Sequence, residues 1–419
     1  MIKLMLKQIW NERKSNAWLW AELLIVFTAL WVIVDWTYVN LYTYVQPKGF
    51  NIENTYQLFF NQLTPQSNQY IPAEEKTTSD GDDFLAVVER LRHHPDIAHV
   101  SCSQNSSPYN GSNSSDFFRQ DSISINRLIR RVTPDFFNVF QYENADGSGS
   151  ASLAKAFEEG TIIAPLNFWE ERYPEGKNLL GQTFFQNNDS IQGFRVAALT
   201  NPVRYSDFDP AFEWIYVTSR INADAFANLT GAEYTYIEVC IRTRPGTSPD
   251  FAEKLMKGSP RLYNVGNCYI QSIRSFDEIR YGFQLNTVNA LKKRGFIMLF
   301  LLMNIFLGII GTFWYRTQQR RAELGLRVAL GSSLPKLNFL LIGEGLILLF
   351  LAVVPALAVC YTIGNANVTD VWQMKWGFAR FVPGAIITLL FMVLMIVTGI
   401  SYPAYQATKI QPAEALHEE

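Results

Sequence analysis

Four stretches of this chain are long and apolar enough to cross a lipid bilayer, which takes about 20 mostly apolar residues. They run from Ala17 to about Val39, from Phe296 to Trp314, from about Phe339 to Ile363, and from Phe381 to Tyr402. Buried core helices rarely run this long without an amphipathic stripe. The first stretch is too long for a signal peptide, carries Glu22 and Asp35, and lacks a small-residue cleavage site. It reads as an uncleaved anchor.

The spans account for only part of the 419 residues. Hydrophobic residues make up 48% and charged residues 18%, against about a quarter in soluble domains. A mean hydropathy of +0.01 therefore implies a large polar domain beside the spans. The net charge of -2 argues against a general nucleic-acid binder. Four Cys exclude a disulfide scaffold, and 30 Phe, 19 Tyr and 10 Trp exclude a disordered chain.

Positive charge in short flanking loops sets orientation. Lys3, Lys7, Arg13 and Lys14 precede the first span; Arg316, Arg320, Arg321, Arg327 and Lys336 lie between the second and third. Both segments are expected in the cytoplasm, with both termini there and residues 40–290 outside. Lys292, Lys293 and Arg294 oppose this, but long domains translocate largely regardless of charge, and these cations can snorkel to outer headgroups. The expected organisation is a cytoplasmic amphipathic segment 1–16, first span 17–39, external domain 40–290, stalk end and second span 291–314, cytoplasmic loop 315–338, third span 339–363, fourth span 381–402 and cytoplasmic tail 403–419.

Within the external domain, residues 82–93 show helical spacing, and IAHVSCS after Pro95 alternates like a strand. YTYIEVCIRT reads as a strand, Ser248 as the cap of a helix ending at Gly258, and LYNVGNCYIQSI as the next strand. Two such units suggest a split α+β sheet around a β-rich insert at about 140–220. The Ser- and Asn-rich residues 101–115 read as an exposed loop, with a second small-residue loop from Ala145 to Ser152. Ser275 and Glu278 form a capping-box pattern opening a helix that runs into the second span without Pro. Such a helix can carry a rigid-body displacement.

Catalytic signatures are weak. PEGKNLLG at 174–181 is the nearest approach to a phosphate-binding loop, but it has Asn178 where the hydroxyl belongs and lacks the leading Gly. His93, His94 and His99 read as surface or helix-end histidines rather than metal ligands, and no metal site is expected. Neither HExxH nor G-x-S-x-G occurs. Cys240 and Cys268, on strands read as neighbours, are either paired or free buried thiols. Glu22, Asp35 and Glu344 are ionisable groups in or at spans, which makes them functional candidates. Asp35 reads as lying near the outer interface, and Glu344 as a packing or snorkelling residue rather than a proton relay.

The basic loop YRTQQRRAELGLRVALGSSLPKL is the most specific segment. Glu323 and Arg327 are spaced and ordered as a helix pair, Leu324, Val328 and Leu330 form a narrow stripe, and Gly331 closes it. By residues alone it is equally a helix at home among headgroups.

At this loop the sequence resembles the MacB/FtsX family of ABC-transporter permeases. RRAELGLRVALGSS is similar to that family's cytoplasmic segment, and the tail YPAYQATKIQPAEALHEE to its ending. RRVTPDFFNVF and GTIIAPLNFWEERYPEGKNLLGQTF resemble segments of its external domain. The resemblance implies four transmembrane helices with a porter-type extracytoplasmic domain in the plasma (inner) membrane. It implies a second permease copy or paralogue, a separate ABC ATPase carrying ATP and magnesium, and in some cases an external adaptor or outer-membrane component. Arg320, Arg321, Glu323, Leu324, Gly325, Arg327, Ala329, Leu330 and Gly331 would form the coupling helix that meets the ATPase. The chain itself would be non-catalytic, without cofactor, serving export or extraction of a substrate. Alternatives are a signalling module acting on an external cell-wall hydrolase and a lipoprotein-releasing subunit.

Overall fold

The computed structural model describes residues 9–11, 13–186, 193–212, 214–221, 224–320, 326–327, 332–369 and 372–408. In chain order the elements are α1 (Arg13–Val45), β1 (Thr55–Gln62), α2 (Asp80–Arg92), β2 (Ile97–Gln104), β3 (Ser114–Gln120) and β4 (Ile123–Val132). Short helices α3 (Phe136–Phe140) and α4 (Ser150–Ala156) follow, then β5 (Thr161–Pro165), β6 (Thr183–Gln186), β7 (Gly193–Thr200), β8 (Tyr216–Arg220) and α5 (Asp224–Ala227). The last elements are β9 (Glu238–Thr243), α6 (Phe251–Leu262), β10 (Cys268–Ser275), α7 (Phe276–Gln319), α8 (Leu334–Asn365) and α9 (Phe378–Thr408). The chain divides into two compact units: residues 46–287, and residues 1–45 together with 288–419.

The second of these contains four helices long and apolar enough to cross a membrane. Leu23, Phe27 and Trp31 of α1 pack with Leu349 and Ala352 of α8 and Met392 and Ile396 of α9, all buried. The apolar part of α7 joins this core mainly through Ile309 and Phe313, leaving Phe296, Ile297 and Phe300 exposed. The four expected spans lie within these helices. The third helix starts earlier than expected, at Leu334, because Ser333 takes an extended backbone and Pro335 fits the first turn.

In residues 46–287, the strands β10-β1-β9-β2 lie side by side, each antiparallel to its neighbour. The β1-α2-β2 and β9-α6-β10 units thus interleave. Ser79 caps α2, accepting from the Asp82 amide at 3.0 Å while Asp82 reaches back to the Ser79 amide. Leu58, Phe84, Val88, Val100, Val239 and Phe251 form one buried layer between helices and sheet.

The insert occupies more of the chain than expected. It begins directly after β2, and its strands close on themselves in the order β4-β3-β6-β7-β5-β8, with β8 pairing parallel to β4. Phe118, Ile162, Phe168, Phe184, Val196 and Val217 fill the interior of this barrel. Residues 101–115 are an exposed loop only in part: residues 111–113 are exposed, but β2 runs to Gln104, and Ser101, Ser103, Ser106 and Ser107 are buried. The buried Glu238 carboxylate causes this. It accepts from the Ser103 hydroxyl at 2.7 Å, the Ser106 and Ser107 amides at 2.8 Å and the Asn110 amide at 2.9 Å.

Three local expectations also need correction. Ser248 does not cap α6; it donates to Asp250, which occupies the cap position, and the helix continues past Gly258 to Leu262. The strand expected from Leu262 starts only at Cys268. Cys240 and Cys268 are not on neighbouring strands, because β1 lies between β9 and β10. Both are free and buried, and burial pushes the Cys268 thiol up to about 12.

Candidate coupling site at the root of the basic loop

Of the loop residues singled out from the sequence, Arg320 and Arg327 are described. Arg321, Glu323, Leu324, Gly325, Ala329, Leu330 and Gly331 lie outside the described residues. Arg327 and Leu326 are helical, and the Ser332 amide donates to the Arg327 carbonyl at 3.0 Å.

Arg320 follows the last residue of α7. Its guanidinium donates to Glu344 on α8 at 2.6 Å, and both side chains are largely buried. Glu344 is therefore neither a snorkelling residue nor simple packing; it is half of an ion pair spanning the ends of the loop. Its second carboxylate oxygen is buried with no hydrogen-bond partner among the described residues. A small cavity beside the pair is lined by Phe313, Thr317, Leu341 and Gly345. Gly345 permits the approach of α9: a Cβ there would stand 2.9 Å from an Ile400 methyl and 3.0 Å from Ile396. A buried ion pair is weak support for stability, since desolvation offsets its attraction, but it favours one register of the helices it joins.

Further polar ties join the spans. Thr312 of α7 donates to Glu22 of α1 at 2.9 Å. Asp35 of α1 and Arg380 of α9 pair at 2.9 and 2.6 Å, both about 1% exposed. Arg380 also donates to the Met374 carbonyl at 3.0 Å and to Thr369 at 3.2 Å. The Asp35 carboxylate is enclosed, and Arg380 neutralises it. Sequence reasoning missed Arg380, which stands one residue before the fourth apolar run. A charge flanking an apolar stretch opposite an Asp inside another was the available signal.

The histidines do not converge. His93 faces the Glu89 carbonyl at 2.9 Å, His94 packs edge-on against Phe251 at 5.6 Å, and His99 meets Asp135 at 3.1 Å. Among the described residues no three His, Cys, Asp or Glu side chains are grouped to hold a metal. The groups gathered at the loop root can hold a helix end and transmit its displacement. They form no nucleophile-and-base arrangement.

Residues 295–412 match the model of the FtsX-like permease C-terminal domain, a match that begins before the second apolar run and contains the basic loop, Glu344 and Arg380. The chain carries an FtsX-like permease C-terminal domain. Beside that match, the chain has four helices long and apolar enough to cross a membrane and a large α/β domain. Among solved structures, it is similar to a domain described as that of a permease protein from Porphyromonas gingivalis, at 12% identity and a TM-score of 0.35. That similarity covers 53% of this chain and 90% of that one. It is also similar to the extracellular domain of the noncanonic ABC-type transporter YknZ from Gram-positive bacteria, at 10% identity and a TM-score of 0.31. There the coverage is 52% of this chain and all of the other. No curated protein matches the chain.

Proposed function

We propose that this chain is the membrane subunit of an ABC transporter of MacB/FtsX type, in which a separate ATPase drives movement of an extracytoplasmic domain. ATP and magnesium act on that ATPase, and the chain is non-catalytic. Residues 46–287 lie outside and both termini inside, in keeping with the cations at 3–14 and 316–336. The complex contains two permease chains and exports or extracts a substrate from the outer face.

The observation that carries this reading is the FtsX-like match over the three later spans, joined to the Arg320–Glu344 pair at the root of a strongly basic loop. A loop that docks on a partner transmits force only if its root is held. Arg320 holds the end of α7 to α8, so a push on the loop reaches both helices together. Arg320 is then a positioning residue, while Glu323, Arg327 and the neighbours named with them meet the ATPase.

The test is affinity purification of the full chain in mild detergent, with the co-purifying chains identified. An ABC ATPase in stoichiometric amount is expected. Recovery of intact permease dimers without any nucleotide-binding chain, under conditions that preserve known complexes of this type, would overturn the reading. A co-purifying cell-wall hydrolase or a lipoprotein would identify the task that the movement serves.

A further inference from the structure

Residues 46–287 contain a second buried charge centre, away from the loop root. Asp207, in the segment after β7, is 2% exposed. One carboxylate oxygen accepts from the Tyr109 hydroxyl at 3.0 Å, and Lys48 lies 3.8 Å away. The other accepts from Arg280, through Nε at 2.7 Å and through Nη2. The Gln284 amide, oriented to satisfy both partners, donates to the same oxygen at 3.3 Å and accepts from the Asp207 amide at 3.1 Å. Arg280 and Gln284 are one turn apart on α7, so they approach from a single helix face.

The neighbouring Arg204 makes a second set of ties. It is 1% exposed and donates to the carbonyls of Gln46 at 2.6 Å, Asp209 at 2.9 Å and Asp207 itself. Its own amide donates to the Lys48 carbonyl at 3.0 Å. Gly49 lets the chain pass close by: its φ is +80°, and a Cβ would stand 2.7 Å from the Pro202 carbonyl oxygen. Burial pulls Lys48 below the usual lysine range, and Asp207 is the strongest influence opposing it. Two segments of distant sequence, 46–48 after α1 and 280–284 at the start of α7, thus meet on 204–209 of the insert.

We propose that Asp207 is a clip that binds these two segments to the insert, so that all three move as one piece. Among the described residues the strands of the insert join β10-β1-β9-β2 through the short β2–β4 pairing, Ser103 with Val132 and Gln104 with Arg131. Beside the Glu238 network and the packing of Phe283 on Tyr109 and Tyr205, the clip supplies a charged attachment made directly to the opening turns of α7. A displacement of those turns then reaches the insert through Arg280 and Asp207 without passing through the sheet. The proposal rests on the permease reading only for what drives the displacement.

The experiment uses the full chain in detergent micelles, without ATPase, and reads amide hydrogen exchange. Asp207→Asn removes the carboxylate that pairs with Arg280. It is expected to speed exchange in 46–50 and in 280–286 together, by about tenfold or more, because local opening governs exchange. Exchange in α2 should stay unchanged. Arg280→Lys keeps the charge but not the paired donors, and should raise exchange in 280–286 by a smaller factor. Nitroxides at Gly147 and Tyr281 should give one narrow distance distribution in the parent chain and a broad one in the Asp207→Asn background. A control pair at Gly147 and Gly181, both in the insert, should stay narrow in both. Exchange confined to 204–209, or an unbroadened Gly147–Tyr281 distance, would overturn the clip. Neither result bears on ATPase recruitment, so the clip and the permease reading fail separately.

Discussion

Replacing Asp35 by Ala leaves a guanidinium enclosed among helices. Arg380 donates twice to Asp35 as well as to the Met374 carbonyl and Thr369, and both members of the ion pair are about 1% exposed. Trp376 also lies under its guanidinium, 5.7 Å from the ring centre. Removing one partner of a buried pair costs about 3–5 kcal/mol, since the remaining buried charge loses that counter-ion. Asp35→Asn keeps a carbonyl acceptor and should cost less, about 1–3 kcal/mol. The double change Asp35→Leu with Arg380→Met removes both charges. It should recover most of the loss, because an apolar pair of similar volume often equals a buried ion pair. Reversible unfolding of the full chain in micelles measures these variants together with the single changes Asp35→Leu and Arg380→Met, which close the double-mutant cycle. A loss below about 0.5 kcal/mol for Asp35→Ala, or a double variant as unstable as the summed singles, would refute this account of the pair.

Glu323→Gln should leave membrane insertion and dimer formation normal while weakening ATPase recruitment by about 2–5 kcal/mol, if the loop buries that carboxylate on docking. A loss of only about 0.2–0.5 kcal/mol would make Glu323 a solvated helix charge. Gly81→Ala inverts the usual preference for Ala in helices. The added Cβ would meet the backbone carbonyls of Phe226 and Ala227, so the variant should lose about 1–3 kcal/mol in thermal unfolding rather than gain. At Asp135, burial raises the carboxyl, but hydrogen bonds from His99, Asn138 and the Val100 amide outweigh it and hold it below its ordinary value. That contribution is present above about pH 4 and is lost as pH falls further. Asp135→Asn should therefore unfold more easily than the parent at pH 6 and by a smaller margin at pH 3, with a difference of at most about 1 kcal/mol at this half-exposed site. A difference independent of pH would contradict the assignment.

The membrane helices were legible because continuous apolar runs depend on local composition alone. The interleaved units were legible for a similar reason: residues 82–92 carry the helical period and 97–103 the alternation within single short windows. The insert was misjudged because burial of its polar residues depends on a distant one. Ser103, Ser106, Ser107 and Asn110 look like loop residues until Glu238, over a hundred positions later, is placed among them. The ion pairs follow the same logic. Glu22, Asp35 and Glu344 stand out as charges in apolar sequence, but their partners Thr312, Arg380 and Arg320 are fixed only by how the helices pack. Asp207 gave no signal at all, since an Asp among Ser, Phe and Asp in a connecting segment reads as solvated.

The central claim is that ATP hydrolysis on a partner subunit moves the external domain. The direct measurement places a nitroxide at the exposed Tyr281, in the opening turns of α7, in the chain reconstituted with its co-purifying ATPase. Distances between labels in the two permease copies are recorded without nucleotide and during ATP turnover. The account predicts a shift of the distance distribution with ATP and magnesium, abolished when the ATPase is omitted. An unchanged distribution while hydrolysis proceeds would contradict it.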